Sequence, residues 1–380
     1  MSLSEGMILE FSTLFCAVVL IAASLTELYF YLYYFRRILN PRNNPGNNSE
    51  KEQAVSVIVC IRNEHDNLRK LIPALLEQDY FSFEICLVAD RSENETLDLL
   101  RDFAGKYPSI KLIEISETAS GYSPKKYAIE MGIRSSAFSL LLFTDADCLP
   151  AGKTWIRQMA GKCSTDVDIV LGIGAYERRS GLLNQLIQYD TLITAAQFMG
   201  MALAGKPYMG LGRNLLYRKS LFVGSGGFAE QAGILAGDDD LFVNRVARAG
   251  RVAVCLHPGG FTVSVPEARW GNWFRQKFRH FSVGKYYRPA DRYRIGFFQL
   301  SRSFIWSITI ILAFQPFGIP LAVVLFLMRM SWLIPVNRGL SLLLDCGIPW
   351  MALPVFDFLH CISVFAIGLP ARFLQPRRWK

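Results

Sequence analysis

Residues 138–150 read FSLLLFTDADCLP. Ser139 to Thr144 form a short, almost wholly apolar run, and Asp145 and Asp147 follow it one residue apart. A run of that length, bounded by polar residues, reads as a buried strand. In an extended chain residues i and i+2 point the same way. The two carboxylates therefore stand side by side where the strand ends. Like charges so close repel and raise a pKa. A hard divalent cation, Mg2+ or Mn2+, relieves that conflict, because such ions prefer carboxylate oxygens and substrate phosphates. Asp145 and Asp147 are thus candidate metal ligands. A D-x-D pair alone also occurs in ordinary acidic turns, and its weight here comes from its surroundings.

Upstream, residues 55–61 (VSVIVCI) form another short buried run, followed by Arg62-Asn63-Glu64. Residues 67–78 then carry Leu68, Leu71, Ile72, Leu75 and Leu76 at helical spacing. Residues 83–89 read as a second strand ending in Asp90, 93–107 as a helix, 110–115 as a third strand and 124–135 as a helix. Strands alternating with helices predict an α/β fold with a Rossmann-like, mostly parallel sheet covered on both faces. Such sheets bind ligands at the carboxyl ends of their strands. Here those ends carry Asn63-Glu64, Asp90 and Asp145-x-Asp147.

Two more clusters follow. Gly237-Asp238-Asp239-Asp240 precedes a helical stretch, LFVNRV. An N-cap explains one aspartate but not three, and a general base near the helix start is the sharper reading. Residues 270–280, WGNWFRQKFRH, put Gln276 and Arg279 on one helix face. With Arg275 and Lys277 they make a cationic, aromatic strip, which an interfacial helix gripping lipid headgroups would also show.

The chain has 380 residues, 51% of them hydrophobic, with the excess at its two ends. Its net charge of +9 is spread along the chain, which suits an anionic membrane face or a phosphate-bearing ligand. No basic run or nucleic-acid motif occurs, so nucleic acid is not expected as a partner. The eight cysteines are scattered without a C-x-x-C, as in a protein with reduced, buried thiols. Residues 7–35 form an apolar stretch ending in Tyr29, Tyr31, Tyr33 and Tyr34, with Arg36 and Arg37 beyond. That order predicts a membrane anchor with its N-terminus outside and its arginines at the cytoplasm. Glu5 and Glu10 before the apolar run argue against a signal peptide. Residues 36–53 read as a polar linker, with a sequon at Asn47 and another at Asn94. Residues 54–290 are expected to form the α/β domain, and 296–369 a membrane region of two or three helical segments. Three crossings would place Arg372, Arg377, Arg378 and Lys380 outside, against the positive-inside tendency. One segment is therefore expected to be re-entrant or interfacial, or 297–336 to cross once. Asp345, Asp357 and His360 are expected in loops or at the interface.

Taken together, these residues resemble the family-2 glycosyltransferases, membrane-attached inverting enzymes with a GT-A fold. The resemblance runs over roughly residues 55–281. VSVIVCIRNE is similar to the family's opening strand and Asn-Glu turn. LVADRSENET places Asp90 where an aspartate holds the nucleotide base. Pro124-Lys125-Lys126-Tyr127-Ala128-Ile129 looks like Gly-Lys-x-x-Ala-Leu, with Lys125 as the lysine. TDADC is the D-x-D. GLGRNLLYRKSLFVGSGGF, 210–228, looks like the floor of the sugar and acceptor pocket. GDDDL stands where the family usually has Glu-Asp, and QKFRH where processive and ceramide glucosyltransferase-like members have Gln-x-x-Arg-Trp.

The resemblance implies a UDP- or GDP-sugar donor. Asn63, Glu64 and Asp90 would hold its base and ribose. Lys125, Asp145 and Asp147, with Mg2+ or Mn2+, would hold its diphosphate. Asp238 or Asp239 would be the base, and Asp240, Gln276 and Arg279 would serve the acceptor and diphosphate. It also implies an integral membrane enzyme, in a bacterium of the inner membrane, with a lipid-linked or polysaccharide acceptor on the cytoplasmic face. Gly237 replaces the usual Glu, and His280 the Trp, which leaves both single and repeated sugar addition open. A membrane nucleotidyltransferase, releasing pyrophosphate, and ceramide glucosyltransferase-like lipid glycosylation are the alternatives. A non-catalytic scaffold would not need three acidic sites.

Overall fold

The structure, a computed structural model, describes residues 3–43, 52–315 and 318–374. The sequon at Asn47, most of the linker, Pro316-Phe317 and the basic residues Arg377, Arg378 and Lys380 lie outside the described residues.

Helix α1, Leu3–Phe30, continues through a π-helical turn, Tyr31–Phe35, to Ile38. The α/β alternation follows as β1 (Val55–Ile61), α2 (His65–Leu76), β2 (Phe83–Asp90), α3 (Asn94–Lys106), β3 (Ile110–Ile115), α4 (Pro124–Ser135) and β4 (Leu140–Asp145). Beyond it come β5 (Cys148–Pro150), α5 (Trp155–Ala160), β6 (Ile169–Leu171), β7 (Gly174–Tyr176) and α6 (Leu182–Leu203). Then follow β8 (Leu215–Arg218), α7 (Lys219–Gly224), α8 (Asp240–Val246), β9 (Val252–Val254), β10 (Thr262–Ser264) and α9 (Trp270–Val283). Three long helices complete the described chain: α10 (Pro289–Ala313), α11 (Gly318–Leu343) and α12 (Leu353–Phe373).

The main sheet has the order β3-β2-β1-β4-β8-β6-β9, in which only β8 runs against its neighbours. From β1 the chain winds outward to β2 and β3, then returns to place β4 on the other side of β1. The sheet's switch point, where such folds bind ligands, therefore lies between β1 and β4. There Cys60 faces Asp145 in register. Period-2 alternation sends Val57, Val59, Leu140 and Leu142 to one face, under α2, α3 and α5. Ile58, Leu141 and Phe143 go to the other face, under α4 and α6.

That second core does not stop at the α/β domain. It runs through α6 to Tyr31, Tyr34 and Phe35 at the end of α1, and to Leu333 of α11 and Phe356 of α12. The tyrosines at the end of the predicted anchor are therefore divided. Tyr31 and Tyr34 are buried in protein, while Tyr29 and Tyr33 face outward. Among the described residues, four helical stretches, Ser12–Ile38, Pro289–Ala313, Gly318–Leu343 and Trp350–Phe373, are long and apolar enough to cross a membrane.

Two residues expected in loops or at the interface are instead buried inside this bundle. Asp357 accepts from Arg302 at 2.5 Å and from Arg329 at 2.7 Å, and Arg329 also donates to Glu27 at 2.5 and 2.7 Å. His360 Nδ1 lies 3.1 Å from Arg302, and Nε2 lies 3.2 Å from Asp190 of α6. Arginine only donates, so Nδ1 accepts and Nε2–H donates to Asp190. Asp190 pairs in turn with Lys277 of α9. A chain of alternating charge thus links α1, the membrane-length helices and the α/β domain. Asp345 behaves as expected: it sits past the end of α11, exposed, and pairs with Arg178.

Candidate active site

Strand β4 delivers Asp145 to the sheet rim, and the turn into β5 places Asp147 and Cys148 beside it. One ligand atom from each of the three lies within 4.8 Å of the others. The oxygens suit a hard divalent ion. The thiol does not join them: burial first, then the charges of Asp147 and Asp145, push the Cys148 pKa up, and Sγ rests 2.8 Å from Ser264 Oγ. Of these three, Asp145 and Asp147 are the fitting donors. Burial opposes charge on Asp145, but Lys125, Arg213 and Arg279 hold its carboxyl below the usual range.

Lys125, in the first turn of α4, lies 3.0 Å from both Asp145 and Asp238. Burial disfavours its charge. The surrounding Asp145, Asp238 and Asp239 outweigh that and raise its pKa well above the ordinary value. The adjacent Lys126 turns the other way. It is fully buried and donates to the carbonyls of Gln231 and Ile234 at 2.7 and 3.0 Å. These bonds pin the segment that leads into Asp238.

The three successive aspartates divide their work. Asp239 caps α8, accepting from Asp240 N at 2.8 Å, and its other oxygen accepts from Gly212 N at 2.5 Å. Burial and the neighbouring Asp238 push its pKa up to about 6. Asp240 is buried, accepts from Leu241 N at 2.7 Å and from the Tyr287 hydroxyl at 2.6 Å, and is pushed up to about 8 by burial and Asp239. Asp238 alone takes no backbone cap. Gly237 explains why the usual Glu is missing: its φ is +83°, and a Cβ there would lie 2.5 Å from Leu241.

One cavity of about 910 Å3 gathers these groups. Glu64, Lys125, Asp145, Asp147, Asp238, Asp239 and Asp240 line it, with Gln276 and Arg279 of α9 opposite. Asn63 and Asp90 sit at the ends of adjacent strands but outside its wall. Asn63, at φ +54°, exchanges hydrogen bonds with Glu93 at 2.8 and 3.0 Å. Asp90 directs both oxygens to Arg91, at 2.8 and 3.0 Å. The D-x-D and the 238–240 triplet thus share one cavity, and Asp90 stands outside its lining. The cationic strip also divides. Arg275 is outward and bonds Asn272 at 2.7 Å, whereas Lys277 is turned inward to Asp190.

Sequence reasoning missed Arg213, whose guanidinium lies over the Tyr176 ring at 4.3 Å on the cavity wall. Its signal was present in GLGRN, where a lone arginine interrupts an apolar stretch. Tyr287, Asp190 and His360 had no local signal, because their partners are far away in sequence.

Paired carboxylates at a sheet switch point, facing an acidic helix start and a cationic helix, make a site for moving a group off a phosphate ester. The family described as "Glycosyltransferase like family 2" matches residues 52–282, more than half of the chain. The chain belongs to that family and is a glycosyltransferase with a GT-A fold. It is 24% identical over 307 residues to the probable glycosyltransferase YdaM of Bacillus subtilis, covering 77% of this chain and 70% of that one. It is 29% identical over 120 residues to glycosyltransferase AglE of Haloferax volcanii, covering 31% of this chain and only 38% of AglE. A solved mannosyltransferase from Pyrobaculum calidifontis, in complex with GDP-Man and Mn2+, shares the fold. Its TM-score is 0.59 at 17% identity, over 93% of this chain and 99% of that one.

Proposed function

We propose that this chain is a membrane-bound inverting glycosyltransferase that moves a sugar from a nucleotide-diphosphate sugar to a lipid-linked or glycan acceptor at the cytoplasmic face, in a bacterium at the inner membrane. One observation carries the reading. The cavity that holds the D-x-D and the aspartate triplet also reaches Leu300 of α10 and Val364 and Gly368 of α12, helices of membrane-spanning length. Residues 7–35 form the anchor, 36–53 the linker, 54–290 the catalytic domain and 296–369 the membrane region.

Asn63, Glu64 and Asp90 mark the base and ribose edge, beside the switch point. Asp145 and Asp147 would hold Mg2+ or Mn2+, which when bound supplies Lewis acidity to the departing diphosphate. Lys125, Arg213 and Arg279 add fixed positive charge where negative charge develops. Asp239 spends both oxygens on backbone N–H groups, and Asp240 points to Tyr287. That leaves Asp238 as the base. The acceptor oxygen bonds the anomeric carbon, the bond to the diphosphate breaks, and the acceptor proton passes to Asp238. Attack opposite the leaving group inverts the configuration.

Comparing D238N with D239N tests the base assignment. D238N is expected to lose on the order of 10²–10⁴ in kcat while binding donor normally. D239N, which can still cap α8, is expected to lose less. The reverse order would exchange the two roles. Release of pyrophosphate in place of a nucleoside diphosphate would favour a nucleotidyltransferase.

A further inference from the structure

The walls of the cavity carry opposite charge. Its acids come from the strand ends, the 237–240 segment, Glu267 and Asp190, and Asp190 is already neutralised by Lys277. The wall built from α9, α10, α12 and the turn between α9 and α10 contributes no carboxylate among its lining residues, but it contributes Lys277, Arg279, Lys285, Arg292 and Arg372. Arg279 acts toward the sheet rim, where it helps to hold the Asp145 carboxyl down. Lys285, Arg292 and Arg372 are different. None of them has a carboxylate partner among the described residues. Their neighbours Arg288 and Arg294 both pair with Asp291, at 2.8 and 2.7 Å. Among the described residues, Arg288 and Arg294, which stand off the cavity, thus have a carboxylate partner, and Lys285, Arg292 and Arg372, which line it, have none.

Apolar surface adjoins these three cations. Phe297 and Leu300 of α10 line the same cavity and are 61% and 45% exposed, and Val364 and Gly368 of α12 continue the lining. Cations meeting an apolar track at the end of membrane-length helices suit an anionic headgroup with a long tail. The acid side of the cavity suits hydroxyls, because Asp238 must accept a proton there.

We propose that the acceptor is a lipid whose sugar is attached through a phosphate or diphosphate link. Lys285, Arg292 and Arg372 hold the link, α10 and α12 guide the tail, and the sugar hydroxyl reaches Asp238. This rests on the reading that the acceptor is membrane-borne and narrows it to one chemical class. Within the 275–279 strip, Lys277 is spent on Asp190 and Arg275 faces away.

The test compares two amphiphiles with the same decyl tail and the same N-acetylglucosamine, one joined by a diphosphate and the other a plain glycoside. Calorimetric titration into the full chain in neutral detergent, with UDP and Mn2+ present, gives their dissociation constants. The diphosphate-linked amphiphile is expected to bind at least tenfold tighter. The K285Q/R292Q/R372Q variant is expected to erase that difference while leaving the plain glycoside unchanged, and K285R/R292K/R372K to restore it. Equal affinities in the unaltered protein, or a triple variant that weakens both amphiphiles alike, would overturn the proposal. Turnover only on water-soluble glycans would instead overturn the wider reading of a membrane-borne acceptor.

Discussion

At the scale of the residue, the site is defined by how neighbouring carboxylates avoid sharing a charge. Lys125 stands between Asp145 and Asp238, and Tyr287 donates to Asp240. Asp240 titrates near pH 8 when folded, against about 4 in an unfolded chain. The unfolded state therefore loses its proton first as pH rises. Between those values each step upward in pH favours unfolding, so the stability that neutral Asp240 contributes is lost toward pH 8. The melting temperature in detergent is expected to fall from pH 5 to pH 8, and D240N to flatten that slope by several degrees. A change of about 1 kcal/mol corresponds to about 2–4 °C in a domain of this size. Identical slopes in the two proteins would count against the assignment. Lys126 offers a second check. K126M leaves the carbonyls of Gln231 and Ile234 without their partner, at about 1–3 kcal/mol for a buried group left unpaired. Melting curves and kcat should fall together, because the segment entering Asp238 loses its anchor.

At the scale of the element, strands β1 to β4 and the helices between them were legible because each shows its own period. The bounds moved by only a few residues: the helix read at 67–78 is His65–Leu76. Strands β5, β6, β7, β9 and β10 have three residues each, too few for any period to show, and long-range pairing fixes them. Helix α6 escaped notice for the opposite reason. It is buried nearly all round, so it lacks the polar face that marks an amphipathic helix. Its packing is close enough to test. A Cβ on Gly200 would lie 2.6 Å from the Tyr34 carbonyl oxygen, in the π-helical turn of α1. Backbone cannot give way as a side chain can, so G200A is expected to destabilise by about 1–3 kcal/mol. A melting temperature equal to that of the unaltered protein would show that the two helices are free to part.

At the scale of the molecule, the membrane-length helices and the catalytic domain share one apolar core and one chain of buried charges. Glu27 and Arg329 meet across 302 positions of sequence. No local pattern predicts such a pair, and for that reason Asp357 and His360 read as loop or interface residues. Breaking a buried pair from one side costs about 3–5 kcal/mol, whereas replacing both partners by apolar groups is far milder. E27Q is therefore expected to melt well below the unaltered protein in detergent, and E27M/R329M to recover part of the loss. A double variant worse than the sum of its singles would contradict that. The cation wall, the D-x-D and the aspartate triplet matter only because the same architecture brings them to one cavity. The most direct measurement of that claim is label transfer. Membranes containing the chain are incubated with radiolabelled UDP- and GDP-sugars, with and without Mn2+, and the lipid fraction is counted. Label is expected to enter the lipid fraction with Mn2+ and to fall at least a hundredfold in D145N and D147N. Undiminished transfer in either variant would contradict the account.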